Sequence, residues 1–218
     1  MMKTILSIPS GNRVKNLLKC IEKWRRVCDF KIVVITWDED TYEALKWTDV
    51  RCFFDDPTMQ SFAINHNEVA GEGSLDWDIF ICGADDLFPS QGIHLIEPVC
   101  KENPDKVIWV KDGLFDAQPT HPIITRGWYD KHGFIFDEAY KHNFCDTDLF
   151  VRLLNAGEVV KCFDIGFDHR HPIKGAKYDS IYFAGEKSFK RDEMQFKIKH
   201  PFANETMGKI KLCPEVSV

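Results

Sequence analysis

Hydrophobic and polar positions along this chain follow two rhythms, and the switch between them marks out the elements. Residues 4–8 are a short apolar run stopped by Pro9, after which Ser10-Gly11-Asn12 supplies turn and cap chemistry. From about residue 13 to residue 27, Val14, Leu17, Leu18, Ile21 and Trp24 recur at helical spacing. Residues 31–36 form a β-branched run of the kind buried in a parallel sheet, followed by Asp38-Glu39-Asp40 and a short helical stretch over 42–47. A third strand is predicted over 50–54, ended by Asp55-Asp56-Pro57, and a helix over 59–70 closed by Gly71 and Gly73. The apolar residues 79–82 then read as a fourth strand that runs into Gly83, Ala84, Asp85 and Asp86.

The second half has a different texture. A helix is predicted over 93–102, a strand over 106–110, a loop over 115–121 and a short strand over 122–126. Asp146 is placed to cap a helix whose apolar face is Leu149, Phe150, Leu153 and Leu154, with Gly157 at its end. A last strand is predicted over 159–163 and a helix over 186–197. Alternating β and α elements with apolar strands predict an α/β fold, a mostly parallel mixed sheet flanked by helices on both faces. Its crossovers are then right-handed.

Composition narrows the function classes. The 218 residues suit one domain with a real core, 44% apolar and 28% charged as in ordinary globular proteins. A net charge of -6 points away from nucleic acid as a partner. Eight cysteines without a CxxC pair suit reduced, mostly structural thiols in a cytosol-like compartment, with zinc or a disulfide framework as the alternative. The N-terminus lacks a long apolar segment with a small-residue cleavage site, and no stretch approaches the roughly 18–20 apolar residues that span a bilayer. The expectation is a soluble, cytoplasmic chain.

Chemistry gathers where predicted strands end. Ligands of open α/β sheets bind at the carboxyl ends of the strands, and the pair Asp85-Asp86 there suits a divalent cation with oxygen ligands such as Mg²⁺ or Mn²⁺. The alternative is a polar turn after a core strand. Further polar groups follow other strands: residues 10–13, Asp38, and the segment Asp168-His169-Arg170-His171.

The order of these groups resembles a family-two-like glycosyltransferase of the GT-A fold over residues 3–172. The resemblance rests most on Gly133-Phe134-Ile135-Phe136-Asp137-Glu138, then Asp146-Thr147-Asp148-Leu149 with Arg152, then Gly157. It implies a nucleotide-sugar-binding half over about residues 1–90, an acceptor half over about 91–172 and a C-terminal segment over 173–218. By the same resemblance Pro9, Ser10 and Arg13 hold the base and ribose, Asp38 contacts the base, and Asn67 lies near the sugar nucleotide, with His66 in place of the usual arginine. Gly83 stands where the family carries its first metal-motif aspartate, which leaves Ala84, Asp85 and Asp86 as the remainder of the motif. The resemblance implies Asp85 or Asp86, completed by His169 or His171, as metal ligands. Imidazole suits Mn²⁺ better than Mg²⁺.

Asp146 corresponds to the family's general base, which takes the proton of an acceptor hydroxyl; the alternative is a plain helix cap. Lys174, Lys177 and Arg191 are candidate partners for a diphosphate, and Trp128 and Tyr129 either stack on an acceptor or belong to the core. The implied reaction is transfer from a nucleoside-diphosphate sugar, UDP by default, to a hydroxyl acceptor with inversion. The alternatives are a nucleotidyltransferase, against which stands the single glycine of the first loop, and a non-catalytic nucleotide- or sugar-binding module.

Overall fold

The computed structural model of the protein describes residues 2–56, 61–114, 116–176, 180–203 and 213–216. Its strands are β1 (Thr4–Pro9), β2 (Lys31–Thr36), β3 (Arg51–Phe54), β4 (Ile79–Cys82), β5 (Leu87–Gln91), β6 (Val107–Lys111), β7 (Ile123–Thr125) and β8 (Val159–His169). They form one sheet in the order β3-β2-β1-β4-β7-β6-β8-β5. The four pairs among β1, β2, β3 and β4 and between β6 and β8 are parallel; β4–β7, β6–β7 and β5–β8 are antiparallel. The helices are α1 (Val14–Arg25), α2 (Glu39–Leu45), α3 (Phe62–Gly71), α4 (Ile96–Glu102), α5 (Arg126–His132), α6 (Cys145–Ala156) and α7 (Ser180–Lys199).

Side chains alternate across a strand, so each apolar run feeds two cores. Leu6, Ile8, Val34, Ile81 and Ile108 meet Leu17, Ile21 and Trp24 of α1 and Val99 of α4 on one face. Ile5, Val33, Phe80, Val107 and Trp109 meet Val69 of α3 and Leu149, Phe150 and Leu153 of α6 on the other. Burial on both faces explains why the central strands carry no polar alternation. The expected α/β architecture, helices on both sides of a mixed sheet, is the one observed.

Several boundaries differ from the sequence reading. Residues 87–91 form β5 on the sheet edge, paired with β8 through Leu87↔His169 and Phe88↔Asp168; an edge tolerates Pro89, which otherwise argues against a strand. The strand expected over 159–163 continues to His169, because its later residues gain this second partner. Arg126–His132 is helical and is closed by Gly133 at φ 76°. The helix expected over 186–197 runs from Ser180 to Lys199. Of the predicted helix over 59–70, Met59 and Gln60 lie outside the described residues, as does Lys177. Asp146 is not the cap of α6: that position is Phe144, with φ 65° and no side-chain cap bond, and Asp146 sits inside the first turn.

Candidate functional site

The site begins where β1 and β4 end side by side. Ser10, just beyond β1, donates its backbone N–H to Ile35 O at 3.0 Å and its hydroxyl to Asp85 Oδ2 at 2.6 Å. Arg13 Nη1 lies 2.9 Å from Asp85 Oδ1 and 3.5 Å from Asp86 Oδ2. One guanidinium thus ties the first loop to both carboxylates of the acidic turn. Burial is the main influence on Asp85 and outweighs Arg13; with the neighbouring charge of Asp86 it pushes the carboxyl up to about 6.

Ala84 shapes the turn, its carbonyl accepting from Leu87 N at 3.2 Å. A Cβ on Gly83 would lie 2.8 Å from Leu6 Cδ1 and 2.9 Å from the backbone oxygen of Ser7. An aspartate has no room at this position. Pro9, the last residue of β1, is aligned with Ile35 of β2. Beside it, Asp38 caps α2 by accepting from Thr41 N at 2.9 Å and also accepts from Asn12 N at 2.7 Å. Partial burial works to raise its carboxyl, but these N–H donors overcome it and hold the group below the usual carboxylate range.

A second group meets Asp86 from the far strands. The β5–β8 pairing sets His169 opposite Leu87, next in sequence to Asp86, and Arg170 N donates to Asp86 O at 2.9 Å. His169 Nε2 is 3.6 Å from Asp86 Oδ1, and its Nδ1 is 3.2 Å from Asp112 Oδ2. His121 lies edge-on to His169, ring centroids 4.7 Å apart, and its Nδ1 is 3.0 Å from Cys82 O. Asp85, Asp86, Asp112, His121 and His169 are all buried. Burial, reinforced by the neighbouring His169, pushes the His121 imidazole down to about 4.

One ligand atom each from Asp112, His121 and His169 lies within 4.8 Å of the other two. Among the described residues this is the grouping of three or more such side chains that could hold a metal ion. The donor chemistry fits the divalent cation expected from the sequence resemblance. Among the described residues the buried Nε2 of His121 has no hydrogen-bond partner, which suits a metal-ligand position. His171 is set back: its ring is 5.5 Å from that of His169 and 4.7 Å from that of Tyr182. Burial and then His169 lower its imidazole. Tyr182, on α7, donates its hydroxyl to Asp86, and the Arg13 guanidinium lies over its ring.

Asp112 and His121 escaped the sequence reading. Asp112 follows the β6 run just as Asp38 follows β2, so the strand-end rule could have found it. His121 sits in a loop with no periodicity around it and gave no signal.

In α6, the Asp146 carboxylate accepts from Gln118 Nε2 at 2.8 Å and from Thr147 N at 2.8 Å. Burial raises this carboxyl, with both hydrogen bonds opposing the shift. Asp148 is of another kind: fully buried, it accepts from Arg152 Nε at 2.9 Å and His200 Nε2 at 2.7 Å, with Lys199 Nζ at 2.8 Å. Burial alone would raise its carboxyl, and the hydrogen bonds from Lys199 and His200, with the charge of Arg152, pull it below the usual range.

Asn67 is tied into the 135–138 loop, its Nδ2 donating to Phe136 O at 2.8 Å and its Oδ1 accepting from Ile135 N at 2.9 Å. His66 is buried against Ser7, its Nδ1 3.0 Å from Ser7 Oγ. Trp128 is fully buried, with its indole N–H on Glu158, which assigns it to the core. Lys174 is exposed, and Arg191 donates to Ala139 O at 3.1 Å. All eight cysteines are free thiols. Among the described residues no helix is long and apolar enough to cross a membrane.

No family model and no curated protein sequence matches the chain. Solved structures do. A mannosyltransferase from Pyrobaculum calidifontis, in complex with GDP-Man and Mn²⁺, matches with a TM-score of 0.58 at 12% identity over 80% of this chain. Mannosyl-3-phosphoglycerate synthase from Rubrobacter xylanophilus matches with a TM-score of 0.57 at 11% identity over 92% of this chain. The chain has a GT-A fold. Glucosyl-3-phosphoglycerate synthase from Mycobacterium tuberculosis, in complex with Mn²⁺, UDP-Glc and glycerol 3-phosphate, has a TM-score of 0.52 at 10% identity over 80% of this chain. The chain spans 58% of the length of the first of these structures, 75% of the second and 74% of the third.

Proposed function

We propose that this GT-A chain is a metal-assisted glycosyltransferase that moves a sugar from a nucleoside-diphosphate sugar, UDP-linked by default, to a hydroxyl acceptor. The observation that carries the proposal is the buried constellation of Arg13, Asp85, Asp86 and His169 at the strand ends where such folds take their ligands. Asp86 and His169 would hold the cation, with Asp85 and His171 beside them. Bound there, a divalent cation supplies Lewis-acid neutralisation of the charge that develops on a departing diphosphate.

The remaining work belongs to side chains of the chain itself. The nucleotide half, about residues 1–90, would bind the base and ribose along Pro9, Ser10, Arg13 and Asp38, with Ala84 and Asn67 flanking the sugar. The acceptor half, about 91–172, contributes Asp146. A general base is most effective when its pKa approaches the working pH, and burial moves the Asp146 carboxyl in that direction. Gln118 fixes one carboxylate oxygen and Thr147 the other, so the group is held in one orientation to receive the acceptor proton. A single in-line displacement with this base inverts the anomeric centre.

The test is a thermal-shift scan of nucleoside diphosphates with and without Mn²⁺, followed by transfer assays on the ligand that binds. Only ligands of the native state shift the transition. A Mn²⁺-dependent shift with a uridine nucleotide, and an Asp146→Asn variant that keeps the shift but loses transfer, are the expected results. Binding without turnover in the wild-type chain would make it a non-catalytic module, and full activity in Asp146→Asn would remove the base.

A further inference from the structure

We infer that His121 is a ligand of this cation alongside His169, so that two imidazoles face one ion and the site takes transition metals while refusing Mg²⁺. The inference rests on the metal-assisted reading above and adds to it a ligand and a selectivity.

The argument starts from tautomers. A carbonyl oxygen can only accept, so the His121 Nδ1 that lies 3.0 Å from Cys82 O carries the proton and leaves the lone pair on Nε2. That Nε2 is buried and has no hydrogen-bond partner among the described residues. An unmet buried acceptor is costly, and the two side chains grouped with it, Asp112 and His169, are both metal-ligating types. His169 is oriented in the same way: its Nδ1 donates to Asp112 Oδ2 at 3.2 Å, which turns Nε2 toward Asp86 Oδ1 at 3.6 Å. A carboxylate behind a histidine is the usual device for fixing the ring of a metal ligand. Asp112 is itself held, Oδ1 accepting from Leu114 N at 2.8 Å and its backbone oxygen accepting from His169 N at 3.1 Å.

Selectivity follows from the donors. Mg²⁺ is hard, prefers oxygen and sheds water reluctantly, whereas imidazole suits Mn²⁺, Co²⁺ and Zn²⁺. Two imidazole nitrogens in one buried pocket therefore weigh against Mg²⁺, and the acidic turn by itself would not. Gly83 contributes to the same outcome, since its cramped position denies the turn a further carboxylate.

The test uses the full-length chain stripped with chelator. Co²⁺ binding is followed by visible absorption and Mn²⁺ binding by electron paramagnetic resonance. The wild-type chain should bind both, and a large excess of Mg²⁺ should leave Mn²⁺ in place. His121→Gln should lower Co²⁺ affinity by about tenfold or more and let Mg²⁺ compete. His121→Cys guards against a glutamine variant that fails to fold: on adding Co²⁺ it should develop a sulfur-to-metal charge-transfer band that the wild-type chain, with its eight free thiols, lacks under the same conditions.

Unchanged Co²⁺ affinity in His121→Gln, Co²⁺ binding by His121→Cys without that band, or displacement of wild-type Mn²⁺ by comparable Mg²⁺ would overturn the inference. Metal binding that is indifferent to position 121 would leave the function proposed above standing. A wild-type chain that binds neither Mn²⁺ nor Co²⁺ would end both.

Discussion

Asp85 offers a direct measure of how the acidic turn trades stability for chemistry. In the metal-free chain its carboxyl is pushed up to about 6 from an ordinary value of 3.8, chiefly by burial. The folded state therefore holds this proton more tightly than the unfolded state does. The sign is set by that order: the contribution is fully present below pH 3.8 and is lost as pH rises through about 6. Its full size is about 3 kcal/mol, of which about 1.4 kcal/mol falls between pH 5 and pH 8.

Asp85→Asn removes the titration while leaving an oxygen for Arg13. The variant should therefore gain on the wild type by about 1–1.5 kcal/mol as pH goes from 5 to 8, read as the difference in urea-unfolding free energy with chelator present. The comparison between variants matters because other groups titrate in the same window with the opposite sign. Burial lowers the imidazoles of His66, to about 3, and His121, to about 4, so both favour the fold as pH rises toward 6.5 and weaken it on acidification. Their effects are common to both proteins and cancel in the difference. A difference between the two that does not change with pH, or a variant that gains on the wild type as pH falls, would refute the claim that burial dominates at Asp85.

Two further variants separate the roles of neighbouring positions. Gly83→Asp, which places an aspartate where the sequence resemblance puts one, should lose at least the roughly 1–3 kcal/mol typical of overpacking, because the clashing Ser7 oxygen is backbone and cannot step aside; denaturant unfolding reads the loss, and wild-type stability with tighter Mn²⁺ binding would contradict it. Asp148→Ala should cost about 3–5 kcal/mol by stranding Arg152, Lys199 and His200 around a vacated buried charge. Asp146→Asn should stay close to wild type by the same unfolding measurement, and equal losses at the two positions would undo the distinction between a structural and a chemical carboxylate.

The chain's own pattern was enough for its architecture. Runs such as 32–35 and 79–82 are apolar at every position because both faces are covered, and that pattern is local information. The acidic turn, Asp38, Asp146 and the late histidines were legible for a related reason: a polar group directly after an apolar strand or at a helix start advertises the rim of a sheet. Tertiary structure alone decided which of these groups meet. Asp86 and His169 come together because residues 87–91 pair with an extended β8, and long-range edge pairing leaves no periodic trace when the strand contains Pro89. Asp112 reaches His169 through the parallel pairing of β6 with β8, and His121 approaches from a loop that only the packing positions. Burial, which raises the carboxyls of Asp85 and Asp146 and leaves the Nε2 of His121 without a partner among the described residues, is likewise a property of the assembled sheet and its covering helices. Local sequence chose the elements and the chemical groups; the distances that make those groups a site come from contacts between residues far apart in the chain.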